Sequence, residues 1–501
     1  MKKIYFAIVA FLTLSTAAWS QRYMTPQFTD VNVQTGVTYG VNATVLYYQV
    51  LNEAVPEALV MDVYSPAGDV ETNRPVILYF HTGNFLPFPQ NQSATGTRAD
   101  SATVELCTRL AKLGYVVASC DYRLGWNPIA PTQEERVNTL INAAYRGVQD
   151  CRTAVRYFRR SVAENGNPYG VDPSKIAVWG QGTGGYITFA ASGIDAYTDI
   201  LLPKFIKADG TPMVLDFVNG DIYGTSTGVN PLNGDTLCYP NHEGYSSDFS
   251  VAVNMGGACG DISWIDATDN PMVSFQTPTD PFAPYYTGTV IVPGLNLPVV
   301  EVNGSYDVQF ALSQFGNNGV FELAEGYAPG APYTDQANIN NNGFHGLYPM
   351  LRPTGMEADS APWEWWDSAT NPNNANGLAT NSDMSANKGR MFCDTIMGYA
   401  VPRIACALNL EGSPCYTSVA ENEAISFGIF PNPTADQFAI RSSEKLNFVR
   451  VTDVMGRVVY TSNNLFQDYT TVNVEGWSSG LYNVEVYGTS GNRHVEKLMV
   501  K

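Results

Sequence analysis

A chain of 501 residues, 45% of them hydrophobic, is longer than one core accommodates, since single cores rarely grow beyond roughly 250 to 300 residues; a large domain with a smaller companion is implied. The balance of 28 basic against 47 acidic residues, a formal charge of −19, argues against nucleic acid and anionic membrane surfaces as partners. The chain opens on Lys2 and Lys3, an apolar run over 4–14 and the small residues Ala17-Ala-Trp-Ser20, which together read as a secretory signal over 1–20 cleaved before Gln21. That run is shorter than the roughly 20 residues a membrane span needs, and no other segment qualifies. In an exported chain the eight cysteines favour disulfides. Cys406 and Cys415 bracket one short loop, Cys238 and Cys259 bracket another, and Cys120 reads equally as a buried thiol.

From about residue 45 to 186, apolar strands alternate with helical patterns, the signature of βαβ units in a doubly wound, mostly parallel α/β sheet. Residues 59–64 and 76–80 read as strands. Over 101–112 the apolar residues Val104, Cys107, Leu110 and Ala111 recur at helical spacing, and Gly114 supplies the C-cap. Residues 115–122 form a buried strand; Pro131-Thr-Gln-Glu-Glu135 opens a helix to about 164 with Val148, Cys151, Val155 and Phe158 on one face. Asp172-Pro-Ser then begins the strand that runs into Lys175-Ile-Ala-Val-Trp-Gly180-Gln-Gly182-Thr-Gly184-Gly185-Tyr186. This segment has the form of the G-x-S-x-G nucleophile elbow, with Gly182 where serine belongs. The apex of such an elbow has positive φ, so glycine relieves strain while deleting the attacking oxygen. Thr183 is the alternative nucleophile, but a one-residue shift would force a β-branched side chain to positive φ.

Residues 330–390 are rich in Asn, Gly, Pro and Ser around Trp363, Trp365 and Trp366, and read either as a binding loop or as packing for the last helix. After Cys415 short alternating strands predict a small β-sandwich. Its Pro431-Asn-Pro-Thr434 start, Asp453-Val-Met-Gly456-Arg457 turn, Gly480-Leu-Tyr482 strand and terminal Lys497-Leu-Met-Val-Lys501 resemble the C-terminal sorting domain of proteins exported by the type IX secretion system of Bacteroidetes. The resemblance implies type IX machinery as a partner, an extracellular or cell-surface destination, a sorting domain over 428–501 and a linker over 416–427.

Acyl transfer needs a nucleophile, a base, an acid that orients the base, and oxyanion donors. His81-Thr-Gly83-Asn84-Phe85, after a buried strand, resembles the H-G-G-x-F oxyanion loop of carboxylesterases, with Thr82 replacing one glycine. Asn270-Pro-Met-Val-Ser-Phe275-Gln-Thr-Pro-Thr-Asp280 resembles their acid-bearing strand, with Gln276-Thr277 in place of His-Gly. Asp121-Tyr-Arg-Leu-Gly-Trp126 and Gln149-Asp150 match the same branch of α/β-hydrolases, over a domain of about 21–415. The resemblance implies Gly83, Asn84 and the Thr183 N–H as oxyanion donors and Asp280 as the acid, Asp307 being a weaker rival. Of four histidines, His494 falls in the sorting domain, while His81 and His242 precede the acid. His345, flanked by glycines and following the acid, matches the final histidine of the family. Two readings stand: a secreted pseudo-esterase or surface protein binding an ester, glycan or lipid-like ligand, or an active carboxylester hydrolase using Thr183 or a His-activated water. No metal or organic cofactor is expected, because the histidines are scattered and no cysteine set has zinc spacing.

Overall fold

The run Arg74–Phe80, apolar from Pro75 onward, is buried on both faces, as a central parallel strand must be, and an eight-stranded sheet is built around it. The computed structural model describes residues 22–292, 295–352, 359–416, 427–454, 457–488 and 493–501; the signal over 1–20 and most of the 416–427 linker lie outside them. The chain divides into two compact units, Met1–Tyr416 and Thr417–Lys501.

In the first unit the strands are β1 (Val31–Thr44), β2 (Val55–Pro66), β3 (Arg74–Phe80), β4 (Val116–Cys120), β5 (Val171–Gln181), β6 (Val251–Met255), β7 (Met272–Gln276) and β8 (Leu347–Pro349), in the spatial order β1-β2-β4-β3-β5-β6-β7-β8. β1 and β2, and β2 and β4, pair antiparallel; from β4 onward every pairing is parallel. Helix α1 (Ser101–Leu113) ends at Gly114, whose φ of 113° lets its N–H reach back to the last turn. Helix α2 (Gln133–Glu164) begins with a reciprocal capping box between Thr132 and Glu135. Helix α3 (Thr183–Gly193) follows β5 directly; α4 (Ser305–Phe315) and α5 (Ala386–Ala407) complete the scaffold. The sheet separates two apolar cores. Val155, Phe158, Ile187 and Phe189 of α2 and α3 line one; Leu106, Leu110, Ile396 and Tyr399 of α1 and α5 line the other. Trp363 and Trp365 belong to the second core, which accounts for both as packing.

Arg123 and Asp150 form an ion pair at 2.8 Å with both side chains wholly buried. Asp150 also accepts the Arg123 N–H at 2.8 Å, and Gln149 accepts from the guanidinium at 2.8 Å. The two sequence motifs shared with carboxylesterases therefore meet as one network, tying the loop after β4 to the middle of α2.

Cys406 and Cys415 are bridged. The expected Cys238 to Cys259 bridge is not formed: both thiols are free and buried. Cys238 ends a short hairpin strand packed near Asn42, whereas Cys259 bridges to Asn303 in the first core, where burial pushes its thiol up to about 12. Proximity in sequence did not pair them.

The second unit is a small β-sandwich of β9 (Phe427–Phe430), β10 (Gln437–Asp453), β11 (Val458–Asn473), β12 (Gly480–Gly488) and β13 (Arg493–Val500). The first half of β10 pairs with β9 and the second half with β12, so one long strand serves both layers around Phe438, Ile440, Val449, Val484 and Leu498. Asp453 accepts from the Arg457 N–H at 3.0 Å and from its guanidinium at 2.8 Å. Gly480-Leu-Tyr482 pairs with the chain's last strand. Among the described residues no helix is long and apolar enough to cross a membrane.

Candidate active site

At the end of β5, Gly182 turns the chain with φ 53° and ψ −112°, and α3 begins at the next residue. Sterics impose the glycines around it. A Cβ at Gly180 would overlap the Gly184 carbonyl, and one at Gly184 would overlap the Phe80 carbonyl. The turn leaves no room for a side chain at its apex either. A Cβ at Gly182 would overlap Thr82 Oγ1 and lie 2.8 Å from Thr82 Cβ. Thr82, in the loop after β3, thus fills the space that a side chain at 182 would need. The sequence displayed Thr82 as a departure from the family pattern, but its consequence depends on the alignment of Phe80 with Gly180 across β3 and β5.

The loop after β3 holds Asn84 and Phe85 at φ 59° and 51°, two successive non-glycine residues in the left-handed region, where each costs on the order of 1 to 3 kcal/mol. Their hydrogen bonds show what fixes them: the Phe85 carbonyl accepts from the Gly125 N–H at 2.8 Å, and the Asn84 side chain donates to the Asn91 carbonyl at 3.0 Å. Gly83 packs on Gly96, where a Cβ would lie 3.1 Å from the Gly96 Cα. The Asn84 N–H, an expected oxyanion donor, donates to Thr183 Oγ1 at 2.6 Å. Thr183 is buried, and its hydroxyl occupies this donor.

Asp280 follows the C-terminal end of β7, the edge of the sheet where Gly182 lies. Its Oδ1 accepts from the N–H groups of Phe282 (2.8 Å) and Ala283 (3.2 Å), and its Oδ2 accepts from Ser360 Oγ at 2.9 Å. Desolvation dominates those hydrogen bonds and pushes the carboxyl up to about 6. Gln276-Thr277 holds the Asp280 loop together. Gln276 donates to the Ala283 carbonyl and accepts the Ser305 N–H, while Thr277 donates to the Ser360 carbonyl at 2.8 Å. The rival Asp307 sits in the first turn of α4 and accepts from Thr287 Oγ1 at 2.6 Å.

The expectation for His345 is corrected by the structure. His345 precedes β8, and the pairing of Leu347 with Ser274 sets it beside the beginning of β7. Asp280 lies beyond the other end of that five-residue strand, which spans about 13 Å at roughly 3.3 Å per residue. His345 Nδ1 instead meets Glu325 Oε1 at 2.7 Å, and its carbonyl accepts from Arg403 and Tyr399. Nor do the other histidines of this unit serve Asp280: His81 meets Asp121 at 3.3 Å, and His242 contacts the Tyr39 carbonyl at 2.6 Å. Ser360, which sequence reasoning missed, stands in the order and at the strand end where a base would come. A search for histidine could not find it.

Beside the elbow, Glu364 Oε1 accepts from the Gln181 amide at 2.6 Å and Oε2 from Thr95 Oγ1 at 2.9 Å. Burial first, then the neighbouring Asp100, pushes Glu364 up to about 8, with Asp280 adding to the effect. The folded chain therefore holds a proton that the unfolded chain releases above its ordinary value of 4.5. The resulting stabilisation is complete below that value and is lost as pH rises through about 8. Glu364→Gln is expected to flatten this slope, gaining on the order of 3 kcal/mol at mildly alkaline pH relative to wild type. Urea unfolding of both proteins across the pH range checks it.

Among the described residues no three His, Cys, Asp or Glu side chains converge as metal ligands. Residues 61–201 match the BD-FAE family of esterase-like α/β-hydrolases, and residues 428–501 match the secretion system C-terminal sorting domain. No curated protein sequence matches the chain. Similar solved structures include esterase 2 of the Planctomycetes species Thermogutta terrifontis in three states. The propionate-bound form is 18% identical over 52% of this chain and 76% of that one, with a TM-score of 0.28. The form phosphorylated by paraoxon is 18% identical over 52% and 75%, with a TM-score of 0.29, and the apo form is 19% identical over 52% and 76%, also at 0.29.

Proposed function

We propose that this chain, which joins an esterase-like α/β-hydrolase domain to a secretion-system sorting domain, is a pseudo-esterase that presents the fold outside the cell without ester turnover. The sorting domain means export to the cell surface or extracellular space by the type IX machinery. One observation carries the rest of the reading: Thr82 fills the side-chain space of the missing nucleophile. Ser360 on Asp280 supports it further, because a hydroxyl there neither takes nor returns a proton near neutral pH. The alternative of an active hydrolase through Thr183 is disfavoured by the Asn84 hydrogen bond, and activation of water by His345 by that residue's pairing with Glu325.

Turnover of short-chain p-nitrophenyl esters by the mature protein tests the proposal. Wild type, Thr183→Ala and His345→Ala are expected to be indistinguishable from the uncatalysed reaction. Wild-type turnover abolished by Thr183→Ala or by His345→Ala would instead establish a working hydrolase.

A further inference from the structure

The turns that follow β1 and β4 leave the sheet at the same edge as Gly182, because β1 runs antiparallel to β2 and β2 antiparallel to β4. This edge presents three of the chain's most exposed aliphatic side chains. Val50, in the helical turn Tyr48–Leu51 after β1, is 83% exposed, and Ile129, in the loop after β4, is 71% exposed. Leu232, in the turn of the hairpin that pairs Gly228–Val229 with Thr236–Cys238, is 93% exposed. We propose that these three turns dock the hydrolase domain on an uncharged lipid surface, into which Val50, Ile129 and Leu232 insert.

Contacts tie the turns together. The Tyr48 hydroxyl donates to Asp235, and the Asn233 amide donates to the Tyr48 hydroxyl at 2.6 Å, which brings the turn carrying Leu232 against the one carrying Val50. Val45, at the end of β1, packs on Gly125, where a Cβ would lie 2.6 Å from the Val45 Cγ2. The Gly125 N–H donates in turn to the Phe85 carbonyl at 2.8 Å, so the loop that carries Ile129 also borders the loop after β3. Tyr47 and Leu51, both about half exposed, widen the apolar area around Val50.

Charge and shape select the occupant. Residues 31–52, 82–97, 124–133 and 222–234, which supply these turns and the loop after β3, contain no Asp, Glu, Lys or Arg, although 15% of the chain is charged. An anionic headgroup therefore finds no lysine or arginine in them. The formal charge of −19 repels both an anionic lipid and a second copy of the chain. Aliphatic side chains exposed to this degree protrude instead of lining a pocket, whereas a small soluble ligand needs a concave site. An acyl layer suits them, because burying such side chains is favourable in proportion to the apolar area removed from water. Tyr47 adds an amphipathic ring of the kind that settles at a lipid and water boundary.

Flotation of the mature full chain with phosphatidylcholine vesicles, and with vesicles in which a third of the lipid is phosphatidylglycerol, tests the proposal. The chain is expected to float with pure phosphatidylcholine and several-fold less with the anionic vesicles in low salt, the difference closing at high salt. Val50→Ser, Ile129→Ser and Leu232→Ser, all at exposed positions and so compatible with folding, are expected to lower the partition coefficient about tenfold each. Val70→Ser is the control. Val70 is 91% exposed but lies between β2 and β3, at the opposite edge of the sheet, and its replacement is expected to leave partitioning unchanged. Absence of flotation with phosphatidylcholine, an equal loss in Val70→Ser, or stronger flotation with the anionic vesicles would overturn the assignment. So would sedimentation that shows a dimer dissolved by the same three substitutions. No ester is turned over in this test, so its outcome is independent of the reading of the elbow.

Discussion

Thr82→Gly, Gly182→Ser and Ser360→His introduced together are expected to raise hydrolysis of short acyl esters about 10² to 10³-fold above wild type, whereas Gly182→Ser alone stays at background. The single change fails for a steric reason: the new Cβ would sit 2.8 Å from Thr82 Cβ, and φ of 53° adds the strain of a side chain in the left-handed region. Removing the Thr82 side chain opens the apex, and histidine at 360 takes over the hydrogen bond to Asp280 Oδ2 that Ser360 now makes at 2.9 Å. The gain remains well below the roughly 10⁶-fold measured for an intact triad in subtilisin, because the Asn84 N–H still bonds Thr183 and the oxyanion hole is incomplete. Adding Thr183→Ala to the triple variant frees that donor and is expected to raise the rate by a further factor of about 10². Initial rates on p-nitrophenyl acetate across this series measure each step.

Asp150→Ala is expected to destabilise the hydrolase domain by about 3 to 5 kcal/mol. The cost arises less from losing an attraction than from leaving the Arg123 guanidinium charged and wholly buried beside the Gln149 amide. Replacing both partners by apolar residues, as in Asp150→Leu with Arg123→Met, removes the stranded charge and is expected to recover most of the loss. Chemical denaturation of the two single variants and the double variant gives the coupling directly. Near-additivity of the single effects would mean that the pair does not act as a unit.

The strand-to-helix turn at Gly182 and the loops after β3 and β7 were legible as turns because each is a short contiguous motif whose glycines or prolines have local steric work. Gly180 and Gly184 show this best, since neither position has room for a Cβ. The hydrogen-bond partner of Asp280 was not legible. Its signal in the family is a histidine, and Ser360 carries none, while β8 is only three residues long and gives too little pattern to show that His345 lies before the strand. The filling of the apex by Thr82 was half visible: the substitution could be read, but not the register that aims it at Gly182. Cysteine pairing divided similarly, with Cys406 and Cys415, nine residues apart, joined, and Cys238 and Cys259 set on different elements. The sorting unit was readable because its motifs are local turns and strand ends, such as the Asp453 and Arg457 pairing.

Intact-mass analysis of the mature wild-type protein after exposure to a fluorophosphonate probe bears most directly on the proposal that the chain is a pseudo-esterase. The expected result is an unmodified mass, with stoichiometric labelling appearing only once Thr82→Gly, Gly182→Ser and Ser360→His are combined. A stoichiometric adduct on the wild-type chain, mapped to Thr82 or Thr183, would contradict it.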